Sequence, residues 1–286
     1  MPVPEGLATA LERAGVGPDW MLEVAEQAVL PVIHRRLDAG ELYFISNQRD
    51  RTESVTATFR AGCASAELWD AVRGTRSALY SRLVPSGTVV ELELPPFASA
   101  FVLLRRDAAE GAASATAPPL TTAARELGGP WTVTFAGDGQ SPAPLTMDRP
   151  THWSGPDAHD APTDVKYFSG TGTYSTEFDV DGSVLAPGER LFLDLGDVRD
   201  LAEVTLNGQQ MGVVWTAPFR VEVTGAVRAG VNRLEIAVTN AWANRLAGDA
   251  AEDRTGRPGA QIFEPGGPLL PAGLAGPVRL TGPLRL

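Results

Sequence analysis

The sequence is short of several residue types, and each shortage excludes something. It has one cysteine, Cys63, in 286 residues, so no internal disulfide can form. Cys63 lies between Phe59 and Trp69 beside small residues. It reads as a small buried filler, since a nucleophilic thiol needs a neighbouring base that the sequence does not supply. Lysine occurs once, at Lys166, and every other basic side chain is arginine; that bias reads as genomic rather than functional. Basic residues number 24 against 35 acidic ones, a net charge of −11. An excess of that sign argues against nucleic-acid or anionic-membrane partners, reads first as solubility, and is compatible with a neutral partner such as a sugar. No run approaches the roughly 18 apolar residues of a membrane span. The opening MPVPEGLATALERAGVG has no basic segment leading into an apolar core, so it is not a signal peptide and the location defaults to the cytoplasm. Gly170-Thr171-Gly172 does not lead a strand into a helix, which excludes a phosphate-cradling loop. No Ser-His-Asp arrangement has supporting context, there is no tandem repeat or heptad pattern, and no cofactor is expected.

What the chain does have is alternation, concentrated between Val165 and Asp249. Tyr174, Phe178 and Val180 share one face; so do Leu191, Leu193 and Leu195; Ala202, Val204 and Leu206; Phe219, Val221 and Val223; and Leu234, Ile236 and Val238. A period of two means strands with one face on a core and one in water. Asn207-Gly208 between two such runs supplies the positive φ of a tight hairpin, and Gly182 and Gly230 mark further turns. Antiparallel strands at this spacing predict a β-sandwich of the jelly-roll type.

A length of 286 residues suits two domains. Residues 1–31 are a lead-in with an amphipathic helix over 5–15, stopped by Gly15, Gly17 and Pro18. Such a helix is marginal alone and must dock on something. Residues 32–106 carry short strands at 32–37, 41–48, 54–60, 66–71, 89–94 and 100–106, with turns at 38–40, Arg73-Gly74 and Ser86-Gly87, and predict a small antiparallel sandwich. Residues 107–124 lose all periodicity and read as a linker. Residues 125–286 form the second domain, loop-rich over 136–163, with a polar loop around Arg254, Gly256, Pro258 and Gly259 and a closing strand in GPVRLTGPLRL. The fold class is therefore all-β: a short helix, then two sandwiches.

DVKYFSGTGTYSTEFDV, the stretch from LDLGDVRDLAEVTLNG to TNAWANRL, and the closing LLPAGLAGPVRL resemble the C-terminal jelly roll of glycoside hydrolase family 106, the α-L-rhamnosidases. The same module is similar to the sugar-binding domain of family 2 glycosidases. IHRRLDAGELYFISNQ, AELWDAVRGT and VELELPPFASAFVLLRR resemble the sandwich that precedes it, and GLATALERAGVGPDW the segment leading in. The resemblance implies two non-catalytic domains, because the family's catalytic carboxylates and calcium site belong to a large upstream (β/α)8 barrel that this sequence does not show. No catalytic residue carries over. The implied role is carbohydrate contact, with a rhamnose-containing glycan as partner, or scaffolding of a separate catalytic domain or chain.

Sugars offer flat C–H faces to aromatic rings and hydroxyls to planar amides or charged groups. Trp153 lies in a loop, Trp215 follows a strand, and Asn240, Trp242, Asn244 and Arg245 crowd a loop past another strand. These six are the candidate carbohydrate-binding residues. Packing over the core, completion of turns, and docking on another domain are the alternatives for the same residues. Trp131, Tyr167 and Phe168 read as core, and Trp69 as packing the first sandwich. His34 reads as a packed or hydrogen-bonded strand histidine. Asp197, Asp200 and Glu203 read as solvated turn residues, although a buried pair of acids would make a glycosidase. His152, Asp157, His159 and Asp160 share a loop but fit no metal-ligand spacing, so no metal is assigned. Two other functions stay open: a small complete glycosidase with facing carboxylates between the sandwiches, and a protein-interaction module with a large exposed apolar patch.

Overall fold

The structure is a computed structural model that describes residues 5–63, 65–72, 74–106, 123–137, 141–156, 158, 160–182, 190–251, 262 and 267–282. The chain divides into two compact units, Met1–Pro119 and Leu120–Leu286. Every ladder between its named strands is antiparallel. Among the described residues no helix is long and apolar enough to cross a membrane.

The first unit opens with α1 (Glu5–Arg13) and continues with β1 (Trp20–Glu23), β2 (Val32–Leu37), β3 (Gly40–Ser46), β4 (Glu53–Phe59), β5 (Ser65–Asp70), β6 (Thr75–Leu79), β7 (Ser81–Val84), β8 (Gly87–Leu94) and β9 (Ser99–Arg105). They make a four-stranded sheet, β1-β4-β8-β7, and a five-stranded one, β2-β3-β9-β5-β6. Side chains from both sheets meet in one core: Tyr43, Ile45, Val102 and Leu104 from one side, Val55, Ala57, Phe59, Val90 and Leu92 from the other. That is the alternation rule at work, since successive side chains of a strand point to opposite faces of its sheet. Cys63 is buried in this core, as its small neighbours suggest. The Tyr43 ring stacks on Phe59 at 4.0 Å and on His34 at 4.2 Å. His34 in turn lies between Asp19 (Nδ1 to Oδ2, 2.7 Å) and Glu41 (Nε2 to Oε2, 2.9 Å).

Three strands here are absent from the sequence reading. β6 and β7 are largely exposed along their lengths, so neither has an apolar face to betray it. β1 has only four residues, too few for periodicity to register. α1 ends before Gly15, which takes a positive φ of 70°. Its Leu11 is exposed.

The second unit contains β10 (Ala123–Glu126), β11 (Trp131–Ala136), β12 (Leu145–Met147), α2 (Thr163–Lys166), β13 (Thr171–Val180), β14 (Phe192–Asp194), β15 (Asp197–Arg199), β16 (Leu201–Leu206), β17 (Gln209–Val214), β18 (Arg220–Glu222), β19 (Gly230–Thr239), α3 (Ala243–Ala251), β20 (Gly273–Gly276) and β21 (Arg279–Gly282). A six-stranded sheet runs β12-β11-β13-β19-β16-β17, a four-stranded sheet β10-β21-β14-β18, and a short pair β15-β20. The predicted faces point inward: Tyr174, Phe178, Val180, Leu193, Ala202, Val204, Leu206, Leu234, Ile236 and Val238 share one core with Leu280 of β21. Trp131 and Phe168 join it. The β16–β17 hairpin turns at Asn207 and Gly208, with φ of 53° and 79°, the positive pair that a type I′ turn requires.

Residues 107–122 of the expected linker lie outside the described residues, and Ala123 and Ala124 open β10. Arg73, the polar loop at Arg254, Gly256, Pro258 and Gly259, and Asp157 and His159 of the histidine-rich loop also lie outside them. His152 of that loop lies 3.5 Å from Asp197.

Candidate functional site

Strand order gathers the candidates. β19 ends at Thr239 opposite Leu201, where β16 begins, and Ala202 pairs with Val214, where β17 ends. The residues just beyond these strand ends therefore share one end of the six-stranded sheet: Arg199 and Asp200, Trp215, and Asn240 to Arg245. A cleft of about 170 Å³ opens there, lined by Arg199, Asp200, Asn240, Ala241, Asn244 and the Leu270–Ala272 segment. Enclosed small-molecule sites run to roughly 300–1,000 Å³, so this cleft has room for the edge of a ligand rather than the whole of one.

Four of the six candidates are turned to other work. Trp153 is 2% exposed, which removes it as a stacking platform. Its indole stacks at 6.1 Å against Tyr174 and meets Phe135 and Phe168 edge-on. The backbone explains why this ring fits: a Cβ on Gly273 would lie 2.6 Å from it, and one on Gly172 would overlap it. Directly beneath, the Tyr174 hydroxyl donates to the Thr151 carbonyl (3.2 Å) and accepts from the Leu274 amide (3.0 Å). The loop position of Trp153 suggested exposure, but isolated apolar bulk of that size is driven into the core wherever glycines leave room.

Asn240 and Asn244 are also buried. The Asn240 amide donates to the Phe168 carbonyl (2.9 Å) and accepts from the Gly170 amide (3.0 Å). Asn244 donates to Ser154 Oγ (2.9 Å) and to the Leu270 carbonyl (2.7 Å), and accepts from the Leu270 amide (2.8 Å). Both amides are consumed in stapling loops and are not free for sugar hydroxyls. Arg245 is committed as well. It sits one helical turn before Asp249, whose carboxylate is 4% exposed, with Nε 3.2 Å from Oδ1. That pairing follows from α3, a helix where the sequence predicts a loop. Its ANRLAGDAA has the spacing of a helix, but Gly248 at its centre weakens the signal.

The other two candidates are where a ligand could reach them. Trp215 is 60% and Trp242 53% exposed. Trp242 sits between Ala241 and Ala243, both of which line the cleft. Arg199 is the cleft residue that sequence reasoning does not single out. Asp200, expected as a solvated turn acid, accepts the Ala241 amide at 2.8 Å (Oδ2) and is exposed at the cleft wall. The local signal was its position between two strands, which cannot by itself show what the turn faces.

The fold is a pair of antiparallel β modules, and comparison with known proteins relates them to glycoside hydrolases. Residues 3–82 match the family model described as alpha-L-rhamnosidase, glycoside hydrolase family 106, and residues 156–263 match a glycosyl hydrolase 2 galactose-binding domain-like model. The chain is similar to a rhamnosidase from Novosphingobium sp. PP1Y, with a TM-score of 0.82 and 37% identity over 96% of this chain and 26% of that one. It is 43% identical over 123 residues to a putative beta-glucuronidase of Formosa agariphila, covering 43% of this chain and 10% of that protein. The protein is thus glycoside-hydrolase-related, and it spans about a quarter of the rhamnosidase it matches.

Proposed function

We propose that the chain is an accessory, non-catalytic part of an α-L-rhamnosidase-type glycoside hydrolase, and that the end of its second sandwich touches a rhamnose-containing glycan. The observation that carries this reading is the position of Trp242, half-exposed between two residues of the cleft. An exposed aromatic ring between two cleft residues, with Arg199 and Asp200 on the cleft wall, offers a sugar a stacking face and charged partners for its hydroxyls. Rings open to solvent and amides turned inward favour glancing contact over enclosure.

The acids support the non-catalytic half of the reading. A glycosidase general acid has to keep its proton, which calls for a raised pKa. The buried Glu41 carboxyl is arranged the opposite way. Burial pushes the Glu41 carboxyl up, but hydrogen bonds from Arg106 and His34 and the charges of Arg36 and Arg106 outweigh it and hold Glu41 below the ordinary carboxylate range. A catalytic domain or chain elsewhere would then supply the hydrolysis. Docking on such a partner is the second reading for the same edge, favoured by the exposure of Val213 beside Trp215.

The test is a titration with L-rhamnose and rhamnose-containing oligosaccharides followed by tryptophan fluorescence, with Trp242→Ala and Trp215→Ala alongside and aryl α-L-rhamnoside hydrolysis assayed in the same samples. Saturable binding without turnover, lost in Trp242→Ala, is the expected result. Turnover by the purified chain sinks the non-catalytic claim. Absence of binding sinks sugar contact and leaves docking.

A further inference from the structure

A second array stands on the first unit, on the outward face of the five-stranded sheet. Ile33 of β2 lies opposite Phe44 of β3, Phe44 opposite Phe101 of β9, Phe101 opposite Trp69 of β5, and Trp69 opposite Arg76 of β6. One residue from each of five adjacent strands thus forms a single row. Their sequence neighbours Tyr43, Ile45, Ala100 and Val102 belong to the core and Leu68 packs against it, so the row faces away from it, with Phe44, Phe101 and Trp69 half-buried on that face. The placement of Trp69 corrects the expectation that it packs the sandwich.

The row is built rather than incidental. Phe44 and Phe101 are 4.9 Å apart and tilted by 52°. The Arg76 guanidinium lies 4.2 Å over the Trp69 ring. Trp69 Nε1 donates to Glu67 at 2.8 Å, and Arg105 holds the same carboxylate at 3.2 Å. Ile33 is 55% exposed at the end opposite Arg76. Arg35, two residues on from Ile33, shares this face. Neither Arg35 nor Arg76 has a carboxylate partner among the described residues, whereas Glu67 is neutralised by Arg105. On a chain of net charge −11, this face is a local positive exception. Four strand spacings of ~4.8 Å give the row a length of about 19 Å.

We propose that this face binds an anionic glycan, a run of pyranoses bearing carboxylates, along the row. The sugar C–H faces stack on Phe44 and Phe101, and the carboxylates meet Arg35 and Arg76 at its ends. A guanidinium stacked on an indole keeps its in-plane N–H groups free for a bidentate carboxylate. The charge is what selects the ligand: a neutral glycan leaves both arginines unanswered. The proposal rests on the reading of the chain as part of a glycoside hydrolase, but uses a different surface from the Trp242 cleft.

The experiment is calorimetric titration of the full chain with tetragalacturonate and with its carboxyl-reduced, neutral counterpart. Saturable binding of the acid form, weakened by salt, is expected, with little binding of the neutral form. The exposed double substitution Arg35→Gln/Arg76→Gln should weaken binding about tenfold or more. Phe44→Leu, which keeps apolar bulk but removes the ring face, should weaken it too, while Trp242→Ala should leave it unchanged. Equal affinity for both sugars, no binding, or full binding by the double variant overturns the proposal. So does self-association abolished by Ile33→Glu without uronate binding, which assigns the face to a protein contact. Loss of rhamnoside binding with uronate binding retained sinks the cleft reading alone, and the reverse sinks this one alone.

Discussion

The loop end of the second sandwich and the outer sheet face of the first reverse each other. At the loop end, the residues with the best chemistry for a sugar turn inward: Trp153 fills the core and the amides of Asn240 and Asn244 close loops. On the sheet face, a tryptophan that composition assigns to a core stands outside, in a row with two phenylalanines. Within strands, parity decides which way a side chain points, and Trp69 must oppose Leu68. In loops nothing periodic constrains direction, so burial is settled by space and by unmet backbone groups. An asparagine next to orphaned carbonyls and amides is recruited by them before any ligand arrives.

The largest effect that would sharpen this contrast comes from two tryptophans of the same unit. Trp153→Ala should cost about 3–5 kcal/mol, as for other buried aromatics, read as a fall in thermal midpoint. Trp242→Ala should change stability by less than about 0.5 kcal/mol. Comparable losses would break the assignment of one to the core and the other to the surface. Next comes Asn244→Ala, expected to cost about 1–3 kcal/mol because the Leu270 amide and carbonyl and Ser154 lose a partner in a buried site; denaturant titration would report it. A smaller loss, of pH dependence, belongs to the first unit. Glu41 has a folded pKa held below its ordinary value, so its contribution is complete above the ordinary carboxylate range and disappears as pH falls through the lowered value. Glu41→Gln should flatten the acid limb of a stability–pH profile, and an unchanged limb would disprove the assignment. The smallest effect is Trp69→Phe, which loses only a surface hydrogen bond to Glu67 and part of the Arg76 stacking. It should shift stability by no more than about 1 kcal/mol.

The fold was legible wherever one face of a strand is dry. The inward residues of β13, β16 and β19 are those that alternation selects. It was illegible in β6 and β7, which show water on nearly every side chain, and in α3, where a central glycine hid a helix. Of the candidate residues, Asn240 and Asn244 line the cleft, and Trp215 and Trp242 follow strand ends at the same end of the sheet. The sequence could not supply Arg199 and Asp200 as cleft residues, because their role depends on the meeting of three strand ends. The wall at Leu270–Ala272 is equally invisible: its pairing with Ser154 and Asn244 spans dozens of residues.

The place of β21 has a consequence for how the second unit comes into being. It lies between β10 and β14, and its Leu280 aligns with both Arg125 and Leu193. The ribosome releases it after every other strand of that sheet. Until then β10 and β14 have no ladder to join them, and the apolar side of the six-stranded sheet has an incomplete cover. The unit therefore cannot lock strand by strand as it emerges, but must wait, half-lidded, for a four-residue stretch to thread into the middle of a sheet already laid out around it.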